Sequence, residues 1–251
     1  MFDLTGDVAV VTGSGTGLGR QHALALAKQG AKVALLGRRQ EKLDAVAAEI
    51  EALGGEAFPV STDVTDPKQV EAARDKIVAK WGKVDILVNN AGGGEAGPIS
   101  ELAEDAWLRS LNLDLNGVFY CTKYFSQVML ERGYGRVINI ASILGKGGLP
   151  ELPISPYCTA KGGIINFTRQ AAAEWALKGV TCNALCPGFF ASEANTPEAM
   201  ENMNGFITAR TPMQRPGEPG ELDSSIIYLA AHESSYVTGS IITCDGGWTA
   251  V

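Results

Sequence analysis

Short runs of consecutive apolar residues recur along the chain, separated by longer stretches in which apolar residues return every three or four positions. The short runs are "VAVVT" from Val8, "KVALLG" from Lys32, "EAFPVST" from Glu56, "KVDILVNNA" from Lys83, "RVINIAS" from Arg136, "VTCNALC" from Val180 and "SIITCDG" from Ser240. Most are rich in valine and isoleucine at adjacent rather than alternating positions, as expected of strands covered on both faces. The intervening periodicity predicts helices near 18–29, 40–53, 67–81, 104–131, 156–178 and 218–231. Strand and helix alternating in this way predicts an α/β fold, a doubly wound parallel sheet of about seven strands with helices on both faces. No linker or composition break divides the sequence, so residues 1–251 are expected to form a single domain.

One segment breaks the rhythm. Residues 188–217, "GFFASEANTPEAMENMNGFITARTPMQRPG", have no strand pattern and several Pro and Gly punctuators. Connections this long are commonly functional. This one follows the sixth strand, at the carboxyl edge where open α/β sheets bind ligands. It is expected to be a substrate-covering lid with short helices.

Composition narrows the classes of partner. With 251 residues, 45% of them hydrophobic, the chain can bury a full core without disulfides or metal. A net charge of −7 argues against nucleic acid or an anionic membrane as the main partner. No apolar run approaches membrane-span length, and the N-terminus lacks the pattern of a signal peptide, so a cytoplasmic location is expected. The cysteines at 121, 158, 182, 186 and 244 are odd in number and scattered, which suits reduced, mostly buried thiols. With only His22 and His232 in the chain, no metal-ligand cluster is expected.

The first strand runs into "TGSGTGLGRQHALALAKQG", where Gly13, Gly15, Gly17 and Gly19 crowd a strand-to-helix turn. Glycines let backbone amides approach a pyrophosphate, and the helix N-terminus adds a favourable dipole. The spacing is T-G-x-x-x-G-x-G from Thr12 to Gly19 rather than G-x-G-x-x-G, but its place between strand and helix points to a nucleotide. At the tip of the second strand, an acidic residue would hold the ribose hydroxyls of NAD. Here Gly37 is followed by Arg38 and Arg39, with no carboxylate. Guanidinium forks match a 2′-phosphate, so NADP(H) is favoured over NAD(H), with Arg38 as the better candidate.

Tyr157 and Lys161 stand four apart in "SPYCTAKGG", one face of a predicted helix. An ammonium beside a phenol stabilises the phenolate, which equips the pair to give and take a proton. Ser142, at the end of the fifth strand in "INIASILG", can steady an alcohol or carbonyl oxygen.

Together these residues resemble the short-chain dehydrogenase/reductase superfamily over essentially the whole chain. The matching pieces are "TGSGTGLG", Asp63–Val64, "NNAG" at Asn89–Gly92, Ser142, "YCTAK", Pro187–Gly188 and "DGG" at Asp245–Gly247. Individually weak, they are specific in their order and spacing. "FDLTG", "SPYCTAKGG" and "CPGFFASEAN…ARTPMQRPGEPGEL" are most similar to the gluconate 5-dehydrogenase-like members. The resemblance implies a Rossmann-type fold, an NAD(P)-dependent oxidoreductase acting on a small-molecule alcohol or ketone, and a homotetramer or homodimer. It implies that Gly13, Thr16, Gly17, Leu18 and Gly19 hold the cofactor phosphates and that Asp63 and Val64 meet the adenine. Asn90, Ala91 and Gly92 would line the cofactor, and Asn89 would brace the central strand. Tyr157 would be the acid/base, Lys161 would hold the nicotinamide ribose, and Ser142 would bond the substrate oxygen. Pro187–Gly188 would meet the nicotinamide, and Ser192 would take the place of a threonine that bonds its carboxamide.

Two features depart from the family pattern. Relatives have an asparagine three residues before the glycine of "N-L-x-G-V-F", part of a proton relay to the lysine; this chain has Asp114 there, flanked by Asn112 and Asn116. Either Asp114 holds that place in the catalytic set, as a buried charge that needs a partner, or the segment shifts and Asn116 serves. The interval from Ser142 to Tyr157 is also longer than in many relatives and places "GKGGLPELPIS" at the rim of the substrate pocket.

Three substrate classes remain open. A sugar acid would need polar anchors, for which Lys146 and Arg210 are candidates; a bulky ketone or steroid would use the apolar residues Leu149, Leu152, Ile154, Phe189, Phe190, Met200, Met203 and Phe206. A carrier-protein thioester, as for a 3-oxoacyl-carrier-protein reductase, would need a basic docking face. From another class, the chain would be a non-catalytic nucleotide-binding regulator. For self-association, Phe125, Met129, Ala172 and Ala176 are candidate contacts on the long helices.

Overall fold

The computed structural model describes residues 2–190 and 197–251. The seven apolar runs form β1 (Val8–Thr12), β2 (Lys32–Gly37), β3 (Ala57–Ser61), β4 (Ile86–Asn89), β5 (Gly135–Ile140), β6 (Val180–Pro187) and β7 (Ile241–Cys244). All pair in parallel, in the order β3-β2-β1-β4-β5-β6-β7. The helices are α1 (Gly17–Lys28), α2 (Gln40–Ala52), α3 (Pro67–Trp81), α4 (Glu104–Leu111), α5 (Gly117–Arg132), α6 (Ser155–Trp175), α7 (Pro197–Arg210) and α8 (Asp223–Ala230).

Consecutive apolar residues are used on both sides of the sheet. Ala9 and Val11 of β1 face a core closed by α1, α2 and α8, through Leu26, Leu43, Ile50 and Ile226. Val8 and Val10 face the opposite core, closed by α3, α5 and α6 through Ile77, Phe125 and Trp175. Chain order reverses between β1 and β4, and the crevice at a reversal, at the carboxyl ends of the strands, is where such sheets bind ligands.

Three sequence expectations need correction. The helix expected over 104–131 is interrupted: Asn112–Asn116 form a π-helical turn between α4 and α5. Such insertions occur mostly as single turns, often at functional sites. Phe125, Met129 and Ala172 are buried against the chain's own sheet, so they offer no surface to a partner; Ala176 is exposed. Of the expected lid, residues 197–210 form one continuous helix, α7, rather than short pieces.

A ladder of buried amides and hydroxyls ties the centre of the sheet. Asn89 Nδ2 donates to Thr122 Oγ1 (2.9 Å) and Asn139 Oδ1 (2.8 Å), and Asn139 Nδ2 donates to Thr168 Oγ1 (2.9 Å). Asn89 and Asn139 are register partners on β4 and β5, so the ladder binds α5, both strands and α6 together. Among the described residues, no helix is long and apolar enough to cross a membrane.

Candidate active site

A cleft of about 650 Å³ opens above the carboxyl ends of β1, β2, β4, β5 and β6. At one end lies the glycine turn. Gly13 has φ +64°, a left-handed conformation, and a Cβ there would sit 2.8 Å from the Ala91 Cα. A Cβ on Gly19 would overlap the Gly13 carbonyl. The turn is also held from below: Thr12 Oγ1 accepts from the Asn90 and Ala91 amides (3.0 and 2.9 Å), and Asn90 Nδ2 donates to the Thr12 carbonyl (3.0 Å). The glycines thus keep side chains out of a cradle that opens onto the start of α1, and Thr16, Gly17 and Leu18 line it.

Beyond the tip of β2, Arg38, Arg39 and Lys42 are exposed along the cleft wall, and none has an ion pair among the described residues. Lys42 was not singled out by sequence reasoning, because its place in the first turn of α2 does not reveal that α2 packs beside Gly15. Thr62, Asp63 and Val64 form the adjoining wall. Asp63 Oδ1 accepts from the Thr65 amide and hydroxyl (2.9 and 2.8 Å), which fixes this corner. A cradle shaped by absent Cβ atoms, next to three cations without acid partners among the described residues, fits a phosphorylated dinucleotide.

The other end of the cleft gathers Ser142, Tyr157 and Lys161. Ser142 follows β5 and its Oγ accepts from the Leu144 amide (3.1 Å), starting a short 3-10 turn. Tyr157 and Lys161 share a face of α6, with Lys161 Nζ 5.4 Å from the centroid of the Tyr157 ring. Lys161 is 3% exposed and Nζ donates to the Ile140 carbonyl (2.9 Å), so the ammonium is aimed from the helix toward the strand ends.

Asp114, not Asn116, faces this group. The π turn brings Asp114 inside, fully buried, with Oδ1 3.7 Å from Lys161 Nζ and accepting from the Gly93 amide (3.0 Å). Asn116 is exposed and bonds Asn112 (3.1 Å). Burial pushes the Asp114 carboxyl above the usual carboxylate range, against the pull of Lys161 and the Gly93 amide. Its Oδ2 has no protein partner among the described residues. Pro187 and Gly188 also line the cleft, and Ser192 lies outside the described residues.

The wall beside Tyr157 is apolar. Leu149, Leu152, Ile154, Phe189 and Phe206 cluster around Tyr157 and Cys158, joined by Trp248 from the C-terminus, which sequence reasoning missed. Phe190 packs into the core with Ile226 and Leu229 of α8 and also borders the cleft, as Met203 does. The two polar anchors considered from sequence are engaged elsewhere. Lys146 Nζ donates to Thr243 Oγ1 (2.9 Å), and Arg210 pairs with Glu151 (3.0 Å).

A doubly wound sheet of this strand order, with a glycine cradle and a Ser–Tyr–Lys group in one cleft, defines a nucleotide-dependent oxidoreductase of the short-chain type. The sequence matches the short chain dehydrogenase family over residues 7–202, and the chain belongs to it. It is 40% identical to a cis-4-hydroxycyclohexanecarboxylate dehydrogenase of Sinomonas cyclohexanicum, with 97% of each chain covered. It is 35% identical to the gluconate 5-dehydrogenase of Gluconobacter oxydans, covering 99% of this chain and 97% of that one. The structure of a gluconate 5-dehydrogenase from Burkholderia cenocepacia, in complex with NADP and tartrate, superposes with a TM-score of 0.92 at 34% identity, covering 100% of this chain and 98% of that one. The protein is therefore an oxidoreductase of a family that binds nicotinamide cofactors, and it resembles the gluconate 5-dehydrogenases.

Proposed function

We propose that this chain interconverts a secondary alcohol and a ketone with NADP(H), using Tyr157 as the acid/base. The observation that carries the reading is the juxtaposition of Ser142, Tyr157 and buried Lys161 at one end of a cleft whose other end bears the glycine cradle and Arg38, Arg39 and Lys42, which have no ion pair among the described residues. When bound, the nicotinamide supplies or accepts the hydride. The chain's own residues handle the oxygen and its proton. Ser142 Oγ donates to the substrate oxygen and orients it. The Tyr157 hydroxyl gives that oxygen a proton in reduction and takes it back in oxidation. Lys161, held by the Ile140 carbonyl, supports the tyrosine oxygen electrostatically as charge develops there. Asp114 sets the position and charge balance of Lys161 from behind.

NADP(H) is preferred because no carboxylate stands at the tip of β2, where it would repel a 2′-phosphate, and three cations do. A ketone with an apolar body suits the cleft better than a sugar acid. Leu152, Ile154, Phe189 and Met203 wall it, and Lys146 and Arg210 are committed to other partners. The relative named for cis-4-hydroxycyclohexanecarboxylate takes a cyclic alcohol, one that also bears a carboxylate, so it supports the ring-sized body and not the absence of an acid group. Assembly as a homotetramer in the cytoplasm is part of the same proposal, and native mass measurement tests the assembly.

The test is a ketone panel assayed with NADPH and with NADH. Cyclic ketones are expected to turn over with NADPH preferred, and Tyr157→Phe is expected to lower kcat by about 10² or more while cofactor affinity is retained. Turnover unaffected by Tyr157→Phe would refute the role of the tyrosine. A chain that binds NADPH and reduces no carbonyl would be a nucleotide-binding regulator instead.

A further inference from the structure

Three segments far apart in sequence meet over the catalytic tyrosine, and the C-terminus is one of them. Trp248 stands in the last turn of the chain, in edge contact with Phe189 (ring centroids 5.2 Å apart) and Phe206 (6.4 Å), which also touch each other (5.6 Å). Phe189 lines the cleft; Phe206 and Trp248 stand behind it. One turn after Phe206 on α7, the Arg210 guanidinium lies 5.8 Å over the Trp248 ring and pairs with Glu151 (3.0 Å), on the rim between β5 and α6. The backbone makes the same connection: the Met213 amide donates to the Gly246 carbonyl (3.1 Å), just ahead of Trp248. The indole is thus clamped between lid and rim, with its edge against the ring that faces substrate.

We propose that Trp248 is a specificity-determining positioning residue: it props Phe189 against the cleft so that the site selects ketones with an alicyclic or aromatic body, and Arg210 with Glu151 holds the prop in place. The inference rests on the ketone-reducing reading and adds which substrates it favours and which residue imposes the choice. Half-buried aromatic rings in edge contact have few ways to rearrange without losing contacts, so removing one loosens the others. A small ketone that does not reach Phe189 gains nothing from the prop. A ring-sized ketone packs on it.

The experiment compares cyclohexanone with acetone, using NADPH, in the wild type, Trp248→Ala and Trp248→Phe. Trp248→Ala is expected to raise KM for cyclohexanone about tenfold, a change equivalent to roughly 1.4 kcal/mol, and to leave kcat and the KM for acetone within about twofold. Trp248→Phe restores most of the affinity. Arg210→Met moves the ratio of the two KM values in the same direction, by less. Equal losses for both ketones, or no loss for either, would overturn the proposal. A readout without turnover uses the NADP⁺ complex, in which a ketone binds without reacting. Cyclohexanone is expected to change the tryptophan emission of the wild type and not of Trp248→Phe; an identical response in both overturns the proposal even if no ketone is reduced. Absence of turnover on every ketone strikes the parent reading separately. Should Trp248→Ala not fold, Trp248→Leu keeps apolar volume while removing the ring edge and is expected to shift the same KM ratio.

Discussion

His22 should make the fold acid-sensitive in a way that one substitution removes. The side chain lies on the core face of α1, at the same helical position one turn after Leu18 and one turn before Leu26. It is fully buried, and neither ring nitrogen has a hydrogen-bond partner among the described residues. Burial alone pushes its pKa down from 6.5 to about 4. Above pH 6.5 the ring is neutral in folded and unfolded chains, and its contribution to stability is fully present. As pH falls toward 4, the unfolded chain takes up the proton and the folded chain does not, so stability is lost. The full span corresponds to roughly 3 kcal/mol, of which about 2 kcal/mol is lost between pH 7 and pH 5. Urea denaturation of the wild type and His22→Leu, followed by circular dichroism at both pH values and equal protein concentration, measures this directly. Asp7, Asp114 and Asp223, whose carboxyls burial pushes up, act in the opposite sense but are common to both proteins, so the difference between the two profiles isolates His22. At pH 7, leucine is expected to be neutral or stabilising, since it replaces two orphaned polar atoms. Profiles that stay parallel from pH 7 to pH 5 would refute the reasoning.

Two further outcomes follow from the site. Gly19→Ala drives a Cβ into the Gly13 carbonyl, and a strain of about 2 kcal/mol transmitted to the cradle should weaken NADPH binding by roughly 30-fold, measured by cofactor fluorescence, while the fold persists. Asp114→Asn should remove an ionisation from the acid side of the kcat–pH profile. The raised carboxyl takes a proton as pH falls through its shifted value, and Lys161 then loses its counter-charge, a change the asparagine cannot make; superimposable profiles would deny Asp114 any electrostatic role.

The sheet was legible because its strands are runs such as "VAVVT" and "KVALLG", in which adjacent residues serve opposite cores and leave no polar position to confuse the period. The cleft was legible where chemistry is bound to local order, as in the glycine turn and the Tyr157–Lys161 pair on one helical face. The π turn at Asn112–Asn116 was not, because one extra residue within a helix alters apolar spacing too little to register, yet it is what puts Asp114 rather than Asn116 inside. Trp248 escaped notice for a different reason. Its partners Phe189 and Phe206 lie at least forty-two residues away in sequence, and only the packing of α7 and the end of β6 against the C-terminal turn brings them together. Lys42 likewise looks like an ordinary surface lysine until α2 is seen to pack against Gly15.

The Asn89–Asn139 ladder carries a consequence for how such a protein can change over time. Because β4 and β5 are pinned to each other and to α5 and α6 by bonds made below the cleft, the strand ends that aim Ser142 and Lys161 do not depend on the rim for their register. The rim loop, α7 and the last residues of the chain can then be lengthened, shortened or rewritten while Ser142 and Lys161 keep their places. The amide ladder separates what must be inherited intact from what is free to diversify: the rim can change its shape without disturbing the strand ends at the floor of the cleft.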